Sequence, residues 1–473
     1  MSKTKIICTV GPACGTAEVL EEMIHSGMNV ARFNFSYGTH VDHQAKIDTL
    51  KSVRKKLKVP IAIMLDTKGP EYRIGYFEKG SVHLVAGDRF TFTTQEIQGD
   101  RTRVSVSYSH LAEELEPGDK ILINPGNLTF TVTDIQAQNV ICHTDTSGVL
   151  SDRKNMSFPQ KVLKQGYLSD KDKSDLLFGI QNEVDYISCS FVSCKQDLLD
   201  VKTFLAQNGG KTIRLIAKIE NSNGFEHLKE ICSECDGIMI GRGDMGIEMP
   251  LETLPGIQKK MILECRSLGK EVITATEMLE SMIHYSRPSR AEVTDVANAV
   301  YDGTDAMMLS GETATGRFPV LAVKTMESIA RATEENEYYK RRIQQIKLPT
   351  RNDMETIAQA VVEITRNMDI KAIVVYAPTE TAAQALSRFR PPVDILALCV
   401  SKKIQVALSL DWGVTQILCE RYPSCEELLR SARQTAIEKL GLKHGDKIII
   451  MDGAGFAETG KNQAIYVETI MQQ

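Results

Sequence analysis

Arg214-Leu215-Ile216-Ala217-Lys218-Ile219-Glu220-Asn221 is an apolar run that ends abruptly in a lysine and a glutamate. Its length and continuous hydrophobicity predict a buried strand. A second such run, Gly237–Ile240, leads just as sharply into Gly241-Arg242-Gly243-Asp244-Met245-Gly246. Two strands therefore end in a lysine, a glutamate and an aspartate. Burying these charges is costly unless they meet partners. A divalent metal together with a multiply charged ligand would satisfy all of them, which points to phosphoryl-transfer chemistry.

The same ending recurs along the first part of the chain. Eight apolar runs of strand length each finish in polar or Gly-rich residues: Lys5–Val10, Asn29–Phe33, Ile61–Leu65, Asp185–Cys189, Arg214–Ile219, Gly237–Ile240, Glu271–Thr274 and Asp305–Leu309. Near-continuous hydrophobicity marks strands covered on both faces. The intervals carry helix-period patterns, as in Ala17–Ser26, Thr39–Lys56, Lys171–Asn182 and Arg290–Tyr301. Eight strands alternating with helices predict a (β/α)8 TIM barrel with its site at the C-terminal strand ends. Arg32, Asp66, Lys218, Glu220, Asp244, Thr276 and Glu312 all fall there.

One interval breaks the rhythm. About a hundred residues separate the third and fourth runs, and they show short alternating segments punctuated by Glu116-Pro117-Gly118-Asp119 and Asn124-Pro125-Gly126-Asn127. This predicts a small inserted β-barrel domain. Springing from a strand's C-terminal end, it would overhang the site as a hinged lid. After about residue 340 a polar stretch, Glu334–Lys347, reads as a helix end plus linker. Runs at Ala372–Tyr376, Asp394–Cys399, Thr415–Cys419, Lys447–Met451 and Ala464–Ile470 then predict a C-terminal α/β domain. The expected division is barrel 1–70, insert 71–168, barrel 169–340 and C-terminal domain 341–473.

Bulk properties set limits. A length of 473 residues fits several domains. A net charge of −5 gives no pointer to nucleic acid or a membrane surface. The sequence has no apolar stretch long enough for a membrane span, and Met1–Cys8 lacks the features of a signal peptide. Eleven cysteines, an odd number and several inside apolar runs, fit free thiols in a reducing cytoplasm better than a disulfide framework. Cys232-Ser233-Glu234-Cys235 has no second pair at zinc spacing.

Taken in order, the strand-end motifs resemble the pyruvate kinase family. They are Lys5-Ile6-Ile7-Cys8-Thr9-Val10-Gly11-Pro12, Asn29-Val30-Ala31-Arg32-Phe33-Asn34-Phe35-Ser36, Asp66-Thr67-Lys68-Gly69-Pro70-Glu71 and Ala217-Lys218-Ile219-Glu220-Asn221. Further on come Gly241-Arg242-Gly243-Asp244-Met245-Gly246, Ala275-Thr276-Glu277-Met278-Leu279-Glu280-Ser281-Met282, Arg287-Pro288-Ser289-Arg290-Ala291-Glu292 and Met308-Leu309-Ser310-Gly311-Glu312-Thr313. The resemblance implies transfer of the phosphoryl group of phosphoenolpyruvate to ADP, giving pyruvate and ATP in the last step of glycolysis. It also implies Mg2+ (or Mn2+), K+ and a cytoplasmic homotetramer. The rival reading is another Mg2+-dependent phosphoenolpyruvate or pyruvate-enolate barrel enzyme, a mutase or lyase. The inserted lid and the paired Lys-Ile-Glu and Arg-Gly-Asp motifs argue against it.

Chemistry and resemblance together propose roles. Alternation puts Lys218 and Glu220 on one face of a strand; Lys218 suits charge stabilisation on a phosphoryl group in flight, with a structural salt bridge to Glu220 as the plain alternative. Glu220 and Asp244 match the family's Mg2+ ligands, and Mg2+ prefers one or two carboxylates plus water and phosphate oxygens. Arg32 suits bidentate phosphate binding. Backbone N–H groups at Gly243 and Asp244 would hold the substrate carboxylate. The Thr276 hydroxyl would bond that carboxylate or a water that protonates the enolate. Asn34, Ser36, Asp66 and the Thr67 carbonyl match the family's K+ ligands, and Glu71 the residue type of K+-dependent members. Ordinary turn hydrogen bonding is the alternative for Asn34 and Ser36. Asn34, Arg73 and Lys154 fall at the family's nucleotide contacts.

Departures from the family pattern are Tyr37 for histidine, Glu277 for glutamine, Asn124-Pro125-Gly126 for Asp-Asp-Gly and Asn155 for glycine. In the C-terminal domain, the effector turn of many members reads Ala377-Pro378-Thr379-Glu380-Thr381-Ala382-Ala383, with Glu380 at the usual glycine. A carboxylate there repels phosphate, so weak or no activation by fructose 1,6-bisphosphate is expected. Arg388, Arg390 and Lys402 remain as possible anion contacts.

Overall fold

Each of the eight apolar runs becomes a strand: β1 (Lys5–Thr9), β2 (Val30–Asn34), β3 (Ala62–Asp66), β4 (Tyr186–Cys189), β5 (Arg214–Ile219), β6 (Gly237–Gly241), β7 (Glu271–Ala275) and β8 (Ala306–Leu309). They form a closed parallel barrel in sequential order, with β1 pairing both β2 and β8. The computed structural model describes residues 1–123, 128–159, 161, 163–453 and 464–471. Alternation explains the continuous hydrophobicity. Ile7, Val30, Met64, Ile216, Met239 and Ile273 pack together in one core cluster, while Ile6, Cys8, Phe33 and Leu65 pack in another with the surrounding helices.

Helices start where the side chains can cap them. Thr39 with Asp42, Ser169 with Asp172 and Ser289 with Glu292 each form a reciprocal capping box. Asp172 does a second job, accepting the Gly69 N–H at 3.1 Å. That bond ties the helix after the insert to the loop that leads into it. Gly69 has φ +68°, and a Cβ on it would fall 2.6 Å from the Ser190 carbonyl oxygen, so only glycine fits.

The insert is a strand-rich unit with its own core around Phe90, Phe92 and Phe130. Its seven-stranded sheet runs Tyr72–Arg73, Asn155–Ser157, Lys120–Ile123, Leu128–Gln136, Asn139–Thr144, Arg89–Thr93, Arg103–Ser105, and Ser81–Leu84 pairs separately with Gly148–Ser151. The first and last insert strands pair with each other, so the chain enters and leaves at one place. The turn Asn124-Pro125-Gly126-Asn127 lies outside the described residues.

The expected linker is a helix. One helix spans Pro319–Glu335, and a second, Glu337–Gln345, follows at once, capped by the Asn336 side chain. Tyr339 and Ile343, one turn apart, are its buried residues. These apolar positions keep helical spacing, but the charges around them make the stretch polar on average, which reads as a linker. Beyond it lie β9 (Ile370–Ala377), β10 (Asp394–Cys399), β11 (Val414–Leu418), β12 (Lys447–Asp452) and β13 (Ala464–Thr469). Their sheet order is β11-β10-β9-β12-β13, with only β13 antiparallel to its neighbour. Among the described residues no helix is long and apolar enough to cross a membrane.

Buried arginines fasten this domain to the base of the barrel. Arg388 donates to Glu355 at 2.5 Å and to the carbonyls of Arg266, Ser267 and Pro349. Arg390 donates to Asp305 at 2.7 Å and to the Gly303 carbonyl at 2.9 Å. The anion-contact role considered for these two is therefore corrected: their guanidinium groups are taken up by the domain junction. Lys402 stays exposed. Replacing Arg390 by Met should leave Asp305 buried without its cation and cost ~3–5 kcal/mol. Denaturant unfolding checks this, and Arg390→Met/Asp305→Asn should recover part of the loss.

Candidate active site

The C-terminal ends of the barrel strands converge on a cavity of about 270 Å3. Arg32, Asn34, Ser36, Arg73, Lys218, Glu220, Asp244 and Thr276 all line it, together with Lys68 and Glu71. Four other sequence-predicted residues do not line this cavity. Asp66 and Thr67 are 1% and 2% exposed and sit behind the wall. Gly243 turns its N–H to the Thr276 hydroxyl at 2.9 Å. Lys154 belongs to the insert, its carbonyl accepting the Ile74 N–H.

Beneath the cavity lies a chain of buried charges. Arg32 Nε meets Asp66 Oδ2 at 2.5 Å, and its Nη1 donates to Thr9 Oγ1 at 2.8 Å. Lys218 Nζ has three partners: Ser190 Oγ at 2.7 Å, Glu220 Oε1 at 3.0 Å and Asp66 Oδ1 at 3.3 Å. Burial lowers the pKa of this lysine, but the Asp66 and Glu220 carboxylates outweigh it and the net direction is upward. Burial would likewise raise Asp66; Arg32 and Lys218 instead hold it below the usual carboxylate range. The salt bridge between Lys218 and Glu220 thus exists, and the ammonium lines the cavity all the same.

Asp244 behaves differently. Burial, reinforced by the Glu220 carboxylate, pushes it up to about 7. Two carboxylates facing each other at the cavity wall are a mismatch that a divalent cation would relieve. Among the described residues no group of three or more His, Cys, Asp or Glu side chains gathers to hold a metal. Glu220 and Asp244 offer two carboxylates at the cavity wall with room for other oxygens, a donor set that fits Mg2+. Gly241 lets Glu220 reach this position, since a Cβ there would lie 2.6 Å from Glu220 Cγ.

For the monovalent ion, the oxygens of Asn34, Ser36, Asp66 and Thr67 lie at the adjoining ends of β2 and β3, where Asn34 pairs with Asp66. Asn34 Oδ1 accepts the Ser36 N–H at 3.0 Å, so the turn hydrogen bond also forms. Arg73 faces the cavity but is engaged by Glu71 at 2.9 Å and by the Arg153 carbonyl.

Sequence reasoning passed over two residues. Ser190, one position past β4, joins Lys218 to Asp66 and to the Thr67 carbonyl. The strand-end rule that found the others applied equally to it. Arg242 clamps the loop after β7, donating to the Ala275 and Thr276 carbonyls and pairing with Asp295 at 2.7 Å. It holds Thr276 and Glu277 at φ +66° and +53°. Such backbone is unfavourable for a β-branched residue and persists only where surroundings impose it.

Comparison with known proteins gives one answer. Residues 1–323 match the model of the pyruvate kinase barrel domain, and residues 355–467 match that of the pyruvate kinase alpha/beta domain. A protein named pyruvate kinase from Clostridium perfringens is 40% identical over 99% of this chain and all of its own length. One from Staphylococcus saprophyticus is 41% identical over 97% of this chain and 79% of its own. A solved pyruvate kinase from Cryptosporidium parvum superposes with a TM-score of 0.92 at 36% identity, covering 98% of this chain and 96% of that one. Fold, strand-end site and relatives coincide over nearly the whole length, and the chain belongs to the pyruvate kinase family.

Proposed function

We propose that this enzyme transfers the phosphoryl group of phosphoenolpyruvate to ADP, forming pyruvate and ATP in the last step of glycolysis. The observation that carries the reading is that Lys218, Glu220, Asp244 and Arg32 face a single cavity. The cytoplasmic, homotetrameric state follows from the family resemblance alone.

Arg32 binds the phosphoryl oxygens, its guanidinium already oriented by Asp66 and Thr9. Lys218 stabilises the charge that spreads over the phosphoryl group as it moves. Glu220 and Asp244 would hold Mg2+ (or Mn2+), which when bound supplies concentrated positive charge to phosphate and carboxylate oxygens. Asn34, Ser36, Asp66 and the Thr67 carbonyl would hold K+. The Gly243–Asp244 backbone and Thr276 hold the substrate carboxylate, which requires the Gly243 N–H to be shared with Thr276 Oγ1 and the Thr276 hydroxyl to turn from the Ala275 carbonyl, its acceptor at 2.7 Å. Thr276 is also placed to orient a water that protonates the enolate. Asn34, Arg73 and Lys154 are the nucleotide contacts. Lys154 reaches the phosphates through movement of the insert about its paired entry and exit strands.

Lys218→Met should lower kcat by at least ~10³-fold. Binding of Mn2+ to Glu220 and Asp244 should persist, measured by titration calorimetry; full turnover in that variant would sink the assigned role. A proton on Asp244 competes with the metal. With its carboxyl at about 7, Mn2+ affinity for the free enzyme should level off above that pH. Below it, affinity should fall by ~tenfold per pH unit, with about one proton released per ion bound. Titrations in buffers of differing ionisation enthalpy read both quantities. For regulation, Glu380 sits just before the helix Thr381–Arg388. Fructose 1,6-bisphosphate should change the rate at sub-saturating phosphoenolpyruvate by less than about twofold. Strong activation that is lost on changing Thr379 would contradict this.

A further inference from the structure

Ser190 is 2% exposed and fixed from every side. Its N–H donates to Thr67 Oγ1 at 3.2 Å, and its carbonyl accepts the Tyr167 hydroxyl at 2.7 Å. Its own hydroxyl touches three groups: Lys218 Nζ at 2.7 Å, the Thr67 carbonyl at 2.7 Å and Asp66 Oδ1 at 3.0 Å. The proton directions follow from chemistry. An ammonium has no acceptor, so Lys218 must donate to Ser190 Oγ. The single hydroxyl proton is then left for Thr67 O or Asp66 Oδ1. Those two acceptors belong to the residues assigned above to the monovalent cation.

We infer that Ser190 is a positioning residue that couples the monovalent-cation site to the phosphoryl-transfer lysine. The inference rests on the roles proposed for Lys218, Asp66 and Thr67. Lys218 has three N–H bonds and three protein partners, so none is free for a phosphoryl oxygen unless one partner lets go. The contact to Asp66 is the longest, at 3.3 Å. A cation held by Asp66 and the Thr67 carbonyl would neutralise Asp66 and loosen that contact first. The Thr67 carbonyl has two lone pairs, so it can serve the cation and still accept from Ser190. Ser190 and Glu220 keep hold of the ammonium while its third N–H turns to the substrate. Without the hydroxyl, Lys218 would lose a neutral acceptor and be drawn towards the carboxylates.

Ser190→Ala removes the acceptor with little change of volume. It should lower kcat on the order of 10–100-fold, the size expected when a reacting group is displaced by about 1 Å. The KM for phosphoenolpyruvate should stay within ~threefold, since Arg32 is untouched. The activation of kcat by K+ should shrink, while the K+-induced rise in thermal midpoint should remain, because the cation ligands are intact. Ser190→Thr, which keeps the hydroxyl, should recover much of the lost rate. An Ala variant with normal kcat and normal K+ activation would overturn the inference, as would a Thr variant no better than Ala. Loss of both the K+-induced stabilisation and Mn2+ binding in the Ala variant would also overturn it, by showing a merely structural role. Lys218→Met assayed in parallel separates the two levels. If it is inactive while Ser190→Ala is normal, the coupling alone fails; if it is active, the underlying reading of the site fails.

Discussion

The burial of Lys218 between Asp66 and Glu220 is the constraint on which the site depends. Glu220 follows two residues behind Lys218 on the same strand end, but Asp66 comes from β3 and Ser190 from the end of β4, so no local segment can supply all three partners. Only the closed barrel brings the end of β3 close enough to β5 for the Asp66 contact at 3.3 Å. The same closure sets Asp244, at the end of β6, against Glu220. The network therefore holds two cations, Arg32 and Lys218, and three carboxylates, Asp66, Glu220 and Asp244. The first two carboxylates have cations of their own, and Asp244 is left in surplus. Burial first, and the neighbouring Glu220 carboxylate second, raise its pKa, so a proton and a divalent cation would compete for the same position.

Backbone geometry places these side chains as firmly as charge does. Gly241 and Gly69 sit where a Cβ would collide with Glu220 and with the Ser190 carbonyl. The charged strand ends could not approach one another with any other residue there. At the opposite wall, Arg242 holds Thr276 in a left-handed conformation that threonine avoids on its own. Committing a half-buried arginine and its Asp295 partner to one loop makes sense if the Thr276 hydroxyl must point in a single direction. On the proposed reading, that direction is towards the carboxylate and the enolate carbon of the substrate.

Much of this was legible in the sequence because the barrel writes itself in a simple code. A strand covered on both faces must be apolar throughout, so a charge at its end is conspicuous, and Lys218, Glu220, Asp66 and Arg32 were found that way. Ser190 was not, because a serine after Cys189 is unremarkable until the Lys218 ammonium is seen 2.7 Å away. Arg242 was quoted only as part of a glycine-rich motif, since its partners Asp295 and the Thr276 carbonyl are distant in sequence. The helix Glu337–Gln345 escaped for another reason: it is amphipathic but short, and its narrow apolar face of Tyr339 and Ile343 is set among so many charges that the stretch reads as a polar linker. Arg388 and Arg390 read as anion contacts because the sequence shows a charge and hides its counter-ion.

Those two arginines bear on how the C-terminal domain can speak to the site. Arg388 pairs with Glu355 inside its own domain and reaches the barrel through the Arg266 and Ser267 carbonyls, whereas the ion pair of Arg390 with Asp305 crosses the junction, and Asp305 immediately precedes β8. Asp305 also accepts the Val272 N–H of β7 at 2.8 Å through its other oxygen. One carboxylate thus joins Arg390 to the strand whose far end presents Thr276. Breaking such a buried pair is expensive, so small rearrangements of the C-terminal domain should move β7 and β8 with it rather than slide over them. A route from that domain to the catalytic face therefore exists in covalent strands and buried charge. It is not the sole link, since Arg214 of β5 and Tyr186 of β4 both donate to the Ala407 carbonyl at 2.6 Å, but it is the one that leads to the strand carrying Thr276.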